Sequence, residues 1–103
     1  MSTLEKTIDS WNRITEEQFS TVKSVLESLG FRLASQKGSH FTFRHPLISE
    51  CYQLFPEFFP KDFAPDGSLI IVQHKNKVKR WYLRNAVIAL EKINEIEEAH
   101  RRR

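Results

Sequence analysis

Apolar positions recur at helical spacing in three stretches of the chain and alternate with polar ones between them. Leu4, Ile8 and Trp11 fall at i, i+4 and i+7, and Ser2 with Glu5 has the spacing of a capping box. A short helix is therefore expected over residues 2–12. Phe19, Val22, Leu26 and Leu29 repeat in the same way behind a second such pair, Thr15 and Gln18. This predicts a helix from Thr15, with Glu16 and Glu17 at its positive end. Gly30 ends it, because the left-handed conformation that closes a helix costs a glycine little. Tyr82, Ala86, Ala89, Ile93 and Ile96, flanked by Leu83 and Leu90, predict a long last helix over residues 79–98.

Elsewhere the period is two. Phe31-Arg32-Leu33-Ala34-Ser35 and His40-Phe41-Thr42-Phe43-Arg44 alternate, and Lys37-Gly38-Ser39 between them is a turn, so the two runs read as an antiparallel hairpin. Leu69-Ile70-Ile71-Val72 follows the turn signal Asp66-Gly67 and reads as a third strand, buried on both faces. Residues 46–67 hold all 4 prolines, together with Tyr52, Phe55, Phe58, Phe59 and Phe63. Prolines interrupt regular structure, whereas so many rings argue against a floppy loop. A partly packed excursion is expected, with one helical turn near residues 48–54, covering part of the sheet. A partner-binding surface is the other use of such rings. The order is α-β-β-β-α, an α+β fold. It has a three-stranded antiparallel sheet packed by two helices, a short N-terminal helix, and an insertion between strands 2 and 3. The chain reads as a single domain: an N-terminal extension (1–14), a core (15–98) that includes the insertion, and a basic tail (99–103).

Composition narrows the class. A hydrophobic fraction of 40% and a charged fraction of 28% are ordinary for a globular domain and argue against wholesale disorder. No apolar run approaches the roughly 20 residues that span a bilayer, so no membrane partner is expected. Charges interrupt the first 14 residues, unlike a signal peptide. The lone Cys51 excludes a disulfide within the chain and a cysteine-based zinc cluster, and a reducing, cytoplasmic compartment is the default.

The net charge of +3 is unevenly spread. Residues 1–31 carry three basic side chains against five acidic ones, residues 32–84 nine against four, and residues 85–103 equal numbers. Lys75, Lys77, Lys79, Arg80 and Arg84 follow one another with no acid among them. A cluster of this kind binds polyanions by displacing their counterions. The plain alternative is a solvated basic face.

Other constellations are missing from the sequence. Gly30, Gly38 and Gly67 are scattered, so there is no phosphate loop, and there is neither a His-Glu-x-x-His motif nor a cysteine pair. No metal or cofactor is expected, and candidate chemistry falls to the histidines. His100 lies among tail charges and His45 ends a strand before Pro46. His40 stands near the hairpin tip on the polar face, with Thr42 and Arg44. Imidazoles ordinarily titrate near ~6.5, so a histidine there can take or give a proton near neutrality. Gly38 lets a phosphate approach closely and Lys37 supplies charge, although a polar turn residue without a task is the plainer reading.

Several stretches change that weighting: Leu29-Gly30-Phe31, Gln36-Lys37-Gly38-Ser39-His40, Phe43-Arg44-His45-Pro46, and Ile71-Val72-Gln73-His74-Lys75-Asn76-Lys77 leading to Tyr82-Leu83-Arg84. With the helices they cover about residues 15–93 and resemble HicA-type toxins of bacterial toxin–antitoxin modules, of which this chain would be a divergent member. The resemblance implies a double-stranded-RNA-binding-like fold, endonucleolytic cleavage of mRNA and a HicB-like antitoxin partner. It also implies that the histidine of the Gly-Ser-His element, here His40, is catalytic. His74 is the candidate for a second proton-transfer group. Lys37, Arg44 and Lys77 are candidates to stabilise the phosphate, and Gly38, Ser39, His74, Lys75, Lys79, Arg80 and Arg84 complete the expected RNA-binding set. Two other classes remain open: a non-catalytic RNA-binding module, and a protein-interaction domain that uses the aromatic insertion.

Overall fold

A computed structural model describes residues 3–59 and 67–101, apart from the side chains of His100 and Arg101. Ser2 of the first capping box, Pro60, Phe63, Pro65 and Asp66 of the insertion, and Arg102 and Arg103 of the tail lie outside the described residues. The order is α1 (Thr3–Arg13), β1 (Glu16–Gln18), α2 (Phe19–Ser28), β2 (Arg32–Lys37), β3 (His40–Arg44), α3 (Pro46–Leu54), a 3-10 turn (Pro56–Phe58), β4 (Leu69–His74), β5 (Lys77–Lys79) and α4 (Arg80–Arg101). The strands form one antiparallel sheet in the order β1-β5-β4-β3-β2. The α+β class and the helical stripes agree with the sequence.

The strand count does not: the sheet has five strands, not three. β1 occupies the stretch read as the first turn of the second helix, which instead starts at Phe19 behind Gln18 and has no side-chain cap. Glu16, Glu17 and Gln18 are held by pairing with Lys79, Val78 and Lys77. β5 takes up Lys77 and Val78, to which the periodicity assigns no element, and Lys79, which it places at the start of the last helix; that helix instead begins at Arg80. Lys75 and Asn76 adopt φ values of 51° and 67° and form a two-residue turn that folds β5 back on β4. Positive φ at both central positions is the type I′ pattern, whose twist suits a hairpin. The Asn76 N–H donates to Gln73 Oε1 at 2.8 Å and secures the turn. The insertion also differs, because α3 is a nine-residue helix rather than one turn. Pro46 sits at its start, where the missing N–H costs nothing.

One face of the sheet builds the core. Phe41 lies opposite Ile71 and Phe43 opposite Leu69, and all four are buried, as is Val78 of β5. They join Val22 and Leu26 of α2, Ile48 of α3, and Leu83, Leu90 and Ile93 of α4 in one cluster. Leu4 and Trp11 bring α1 into it, along α4. Burying a side chain of this size contributes roughly 1.5–3 kcal/mol, so this face carries most of the stability. Ile70 and Val72 are half-buried, so β4 is covered on one face rather than both.

His45 locks the hairpin to the helices. It is 8% exposed. Its Nδ1 accepts from the Leu47 N–H at 3.2 Å and caps α3. Nδ1 is thus unprotonated, so Nε2 carries the hydrogen and donates to the Leu29 carbonyl at 3.1 Å, at the end of α2. Phe31 packs edge-on against the ring at 5.1 Å. Gly30 has a φ of +100°, and a Cβ there would lie 2.8 Å from His45 Nε2. Burial pushes the His45 imidazolium below the usual 6.5, against smaller opposing pulls from the Leu29 carbonyl and Glu97.

Two predictions follow from this clamp. The unfolded chain takes up the His45 proton near pH ~6.5 and the folded chain only at lower pH, so between the two the unfolded state binds more protons. Stability is therefore full above pH ~6.5 and declines as the pH falls below it. The thermal midpoint, followed by circular dichroism from pH 7.5 to 5, should drop for the parent and drop less for His45→Gln. Gly30→Ala should cost more than about 1 kcal/mol, because it combines a left-handed φ with a clash. A denaturant midpoint equal to that of the parent would refute the clamp.

Candidate functional site

The opposite face of the sheet carries the side chains that the alternation of each strand turns away from the core: His40, Thr42 and Arg44 on β3, Ile70, Val72 and His74 on β4, and Lys77 and Lys79 on β5. His40 is exposed at the start of β3 and lies between Lys37 on β2 and Val72 on β4. Directly opposed residues in an antiparallel pair sit about 5 Å apart at Cα, which puts an ammonium within reach of a phosphate held at His40.

A bulge creates this neighbourhood. Leu33 pairs with Phe43 on the core face, but Ser35 pairs with Thr42, so Ala34 is an extra residue. Without it, Lys37 would share the face of Leu33, because a one-residue shift reverses every side chain beyond it. With it, Ser35 and Lys37 turn to the face of His40. The turn between Lys37 and His40 contains only Gly38 and Ser39. Gly38 has a φ of +57°, as the first central position of a tight hairpin demands. Open space surrounds it. The Ser39 carbonyl accepts from the Gln73 N–H at 3.0 Å and ties the tip to β4.

His74 lies two residues past Val72 on the same face, diagonal to His40 and opposite Lys77. Diagonal Cα atoms are roughly 7–8 Å apart in a regular sheet. Lys79 is next along β5. Lys77 Nζ and Lys79 Nζ both approach Glu16 Oε2, at 3.8 and 3.9 Å. These pairs are exposed and individually weak. One carboxylate nonetheless sits within the basic row, where the count of bases in the sequence showed none.

The structure therefore brings Lys37, Gly38, Ser39, His40, His74, Lys77 and Lys79 to one end of one face. It does not bring Arg44 there. Four residues on from His40, Arg44 is about 13 Å away at the strand's rise per residue, and its Nε donates to Ser68 Oγ at 3.1 Å. Lys75 stands in the β4–β5 turn beside Asn76, Gln18 and Phe19. Arg80 and Arg84 are exposed on the first turns of α4. His45 is withdrawn from chemistry, since both ring nitrogens are engaged inside the fold. Among the described residues, no group of three or more histidine, cysteine or acidic side chains could hold a metal ion, and no helix is long and apolar enough to cross a membrane.

Sequence reasoning missed Glu16 and three residues of α4. Trp81, Tyr82 and Asn85 line a hollow of about 210 Å³ together with His40, Ile70 and Val72. Trp81 is 59% exposed. The signal was an aromatic directly after a basic run, but the run was read only for its charge.

No curated protein and no solved structure matches the chain significantly. Residues 19–94 match the family described as the HicA toxin of bacterial toxin–antitoxin. That span runs from the start of α2 into α4 and takes in the whole hairpin with its Gly38-Ser39-His40 tip, the histidine clamp and the basic row. The chain belongs to the HicA toxin family.

Proposed function

We propose that this toxin binds mRNA across the face bearing His40 and cleaves it without a metal ion. Neutral His40 accepts the proton of a ribose 2′-hydroxyl. The freed oxygen attacks the adjacent phosphorus, and the bond from phosphorus to the 5′-oxygen breaks. Protonated His74 gives its proton to that oxygen, leaving a 2′,3′-cyclic phosphate and a 5′-hydroxyl. Lys37 and Lys77 face the phosphate as charge increases on its oxygens, and preorganised cations are effective there. The observation that carries this reading is the exposed imidazole of His40 directly opposite Lys37 on the sheet face. The antitoxin of the module would silence the toxin by covering that imidazole.

Proton transfer of this kind contributes roughly 10²–10⁴-fold. His40→Ala should thus lower the rate on a ribo-oligonucleotide by at least about 100-fold without moving the thermal midpoint, because the ring is exposed. Cleavage should survive chelator and stop when a single 2′-deoxy nucleotide replaces the reacting one. Parental rates from His40→Ala would exclude His40 as the base. A parent that binds RNA in a salt-sensitive way and yields no product would instead mark a non-catalytic RNA binder.

Glu16 gives a second, independent check. Glu16→Gln frees both Lys77 and Lys79 to meet phosphates, which should tighten RNA binding a few-fold at low salt. The log–log slope against salt should also steepen by up to about one counterion. Weaker binding, or an unchanged slope, would place the RNA elsewhere.

A further inference from the structure

The hollow beside His40 has a composition that charge alone does not explain. Its floor is apolar, from the half-buried Ile70 and Val72. Its wall is the indole of Trp81, 59% exposed, and Tyr82 is next to it. Asn85, one helical turn on, also lines it and is only 8% exposed, so its amide belongs to the wall of the hollow rather than to the open surface. A large indole kept in solvent forgoes further burial. That burial is gained, and the Asn85 amide is met, if something flat and apolar, with polar groups at its edge, enters the hollow.

We propose that this hollow holds one unpaired nucleobase of the RNA, stacked on Trp81, with its edge hydrogen-bonded to the Asn85 amide. An unpaired base is the ligand that fits: it has two apolar faces and a rim of neighbouring donors and acceptors, and proteins hold single-stranded RNA by stacking and edge contacts. An amide offers one donor and one acceptor and meets such a rim in pairs. The position is also useful, because a base fixed next to His40 places its own ribose and phosphate at the imidazole. Trp81 and Asn85 are thus positioning residues. The proposal takes from the cleavage reading only the location of the strand, and it does not require His40 to be catalytic.

The test uses the full chain and a six-nucleotide 2′-O-methyl adenylate oligomer, which cannot be cleaved because its 2′-oxygens are capped. Inorganic polyphosphate serves as a polyanion without bases. The chain has 2 tryptophans, and Trp11 is 3% exposed, so quenching by the oligomer reports Trp81. The oligomer should quench the fluorescence. Trp81→Ala should weaken its binding roughly 5- to 100-fold, the range for loss of one stacked base, and Trp81→Phe should weaken it less. Polyphosphate binding should be unchanged in both variants. Asn85→Leu, which keeps the size of the side chain and removes the amide, should weaken oligomer binding several-fold and leave polyphosphate binding unchanged.

Oligomer binding by Trp81→Ala within twofold of the parent would overturn the proposal, as would an equal loss of polyphosphate. Fluorescence that ignores the oligomer and responds only to the antitoxin would also overturn it, assigning the indole to a protein contact. The two readings fail separately. A His40→Ala protein as active as the parent, with Trp81→Ala deficient in binding, removes only the catalytic role. An inactive His40→Ala protein with Trp81→Ala binding normally removes only the base pocket.

Discussion

A single neutral imidazole holds the hairpin in place. His45 follows β3 directly and uses both ring nitrogens, one on the end of α2 and one on the start of α3. A charged ring could not do this, because a second ring hydrogen would point at the Leu47 N–H. The closeness also sets the residue at position 30, where any side chain would meet the ring. Pinning His45 fixes where β3 ends and which of its side chains turn inward. Alternation then sends Phe41, Phe43 and His45 to the core, and His40, Thr42 and Arg44 to the opposite face. Two histidines five positions apart thus have opposite surroundings for a geometric reason: an odd separation in a strand puts them on opposite faces.

The fold was legible in the sequence wherever a period ran long enough to be counted. The apolar stripes of α1, α2 and α4 and the alternation of β3 needed no tertiary information. β1 and β5 are three residues each and almost wholly polar, and only Val78 among them is buried. Such strands exist because a neighbour pairs with them, and pairing leaves no local trace. The one local hint was Asn76 in a turn flanked by lysines. The site was legible in kind but not in layout. His40 and Lys37 could be named, but their meeting depends on the bulge at Ala34, which shifts the parity of β2 midway. The same blindness placed Arg44 beside His40, because strand position alone does not show that it sits a dozen ångströms away.

The described part of the insertion resolves into two halves with different surroundings. Ile48 is fully buried and Phe59 nearly so, and Tyr52 packs on Phe59 with ring centroids 5.4 Å apart. These rings serve the core, as the density of aromatics suggested. Phe55 and Phe58 face solvent with centroids 5.9 Å apart, and Lys92 Nζ lies 5.1 Å from the Phe58 ring. The contact between Lys92 and Phe58 joins this outer half to α4.

The core and the candidate site occupy opposite faces of one five-stranded sheet, and this shapes how the protein can change. Substitutions at His40, Lys77 or Trp81 meet solvent and leave the buried cluster untouched, so that face can vary while the fold persists. The residues that create the layout have no such freedom. Gly30 and His45 constrain each other through contact, and Ala34 exists only as a count, so deleting it would reverse Lys37 with no change in composition. The basic row has its own internal balance. Glu16 lies on an edge strand held by β5, and its carboxylate draws both Lys77 and Lys79 toward itself. On the proposed reading, an RNA phosphate arriving at His40 would compete with that carboxylate for the same two ammonium groups. The charge that would attract the strand is thus partly neutralised in advance, and on that reading short-range contacts at His40 and in the hollow beside it would supply what long-range attraction does not.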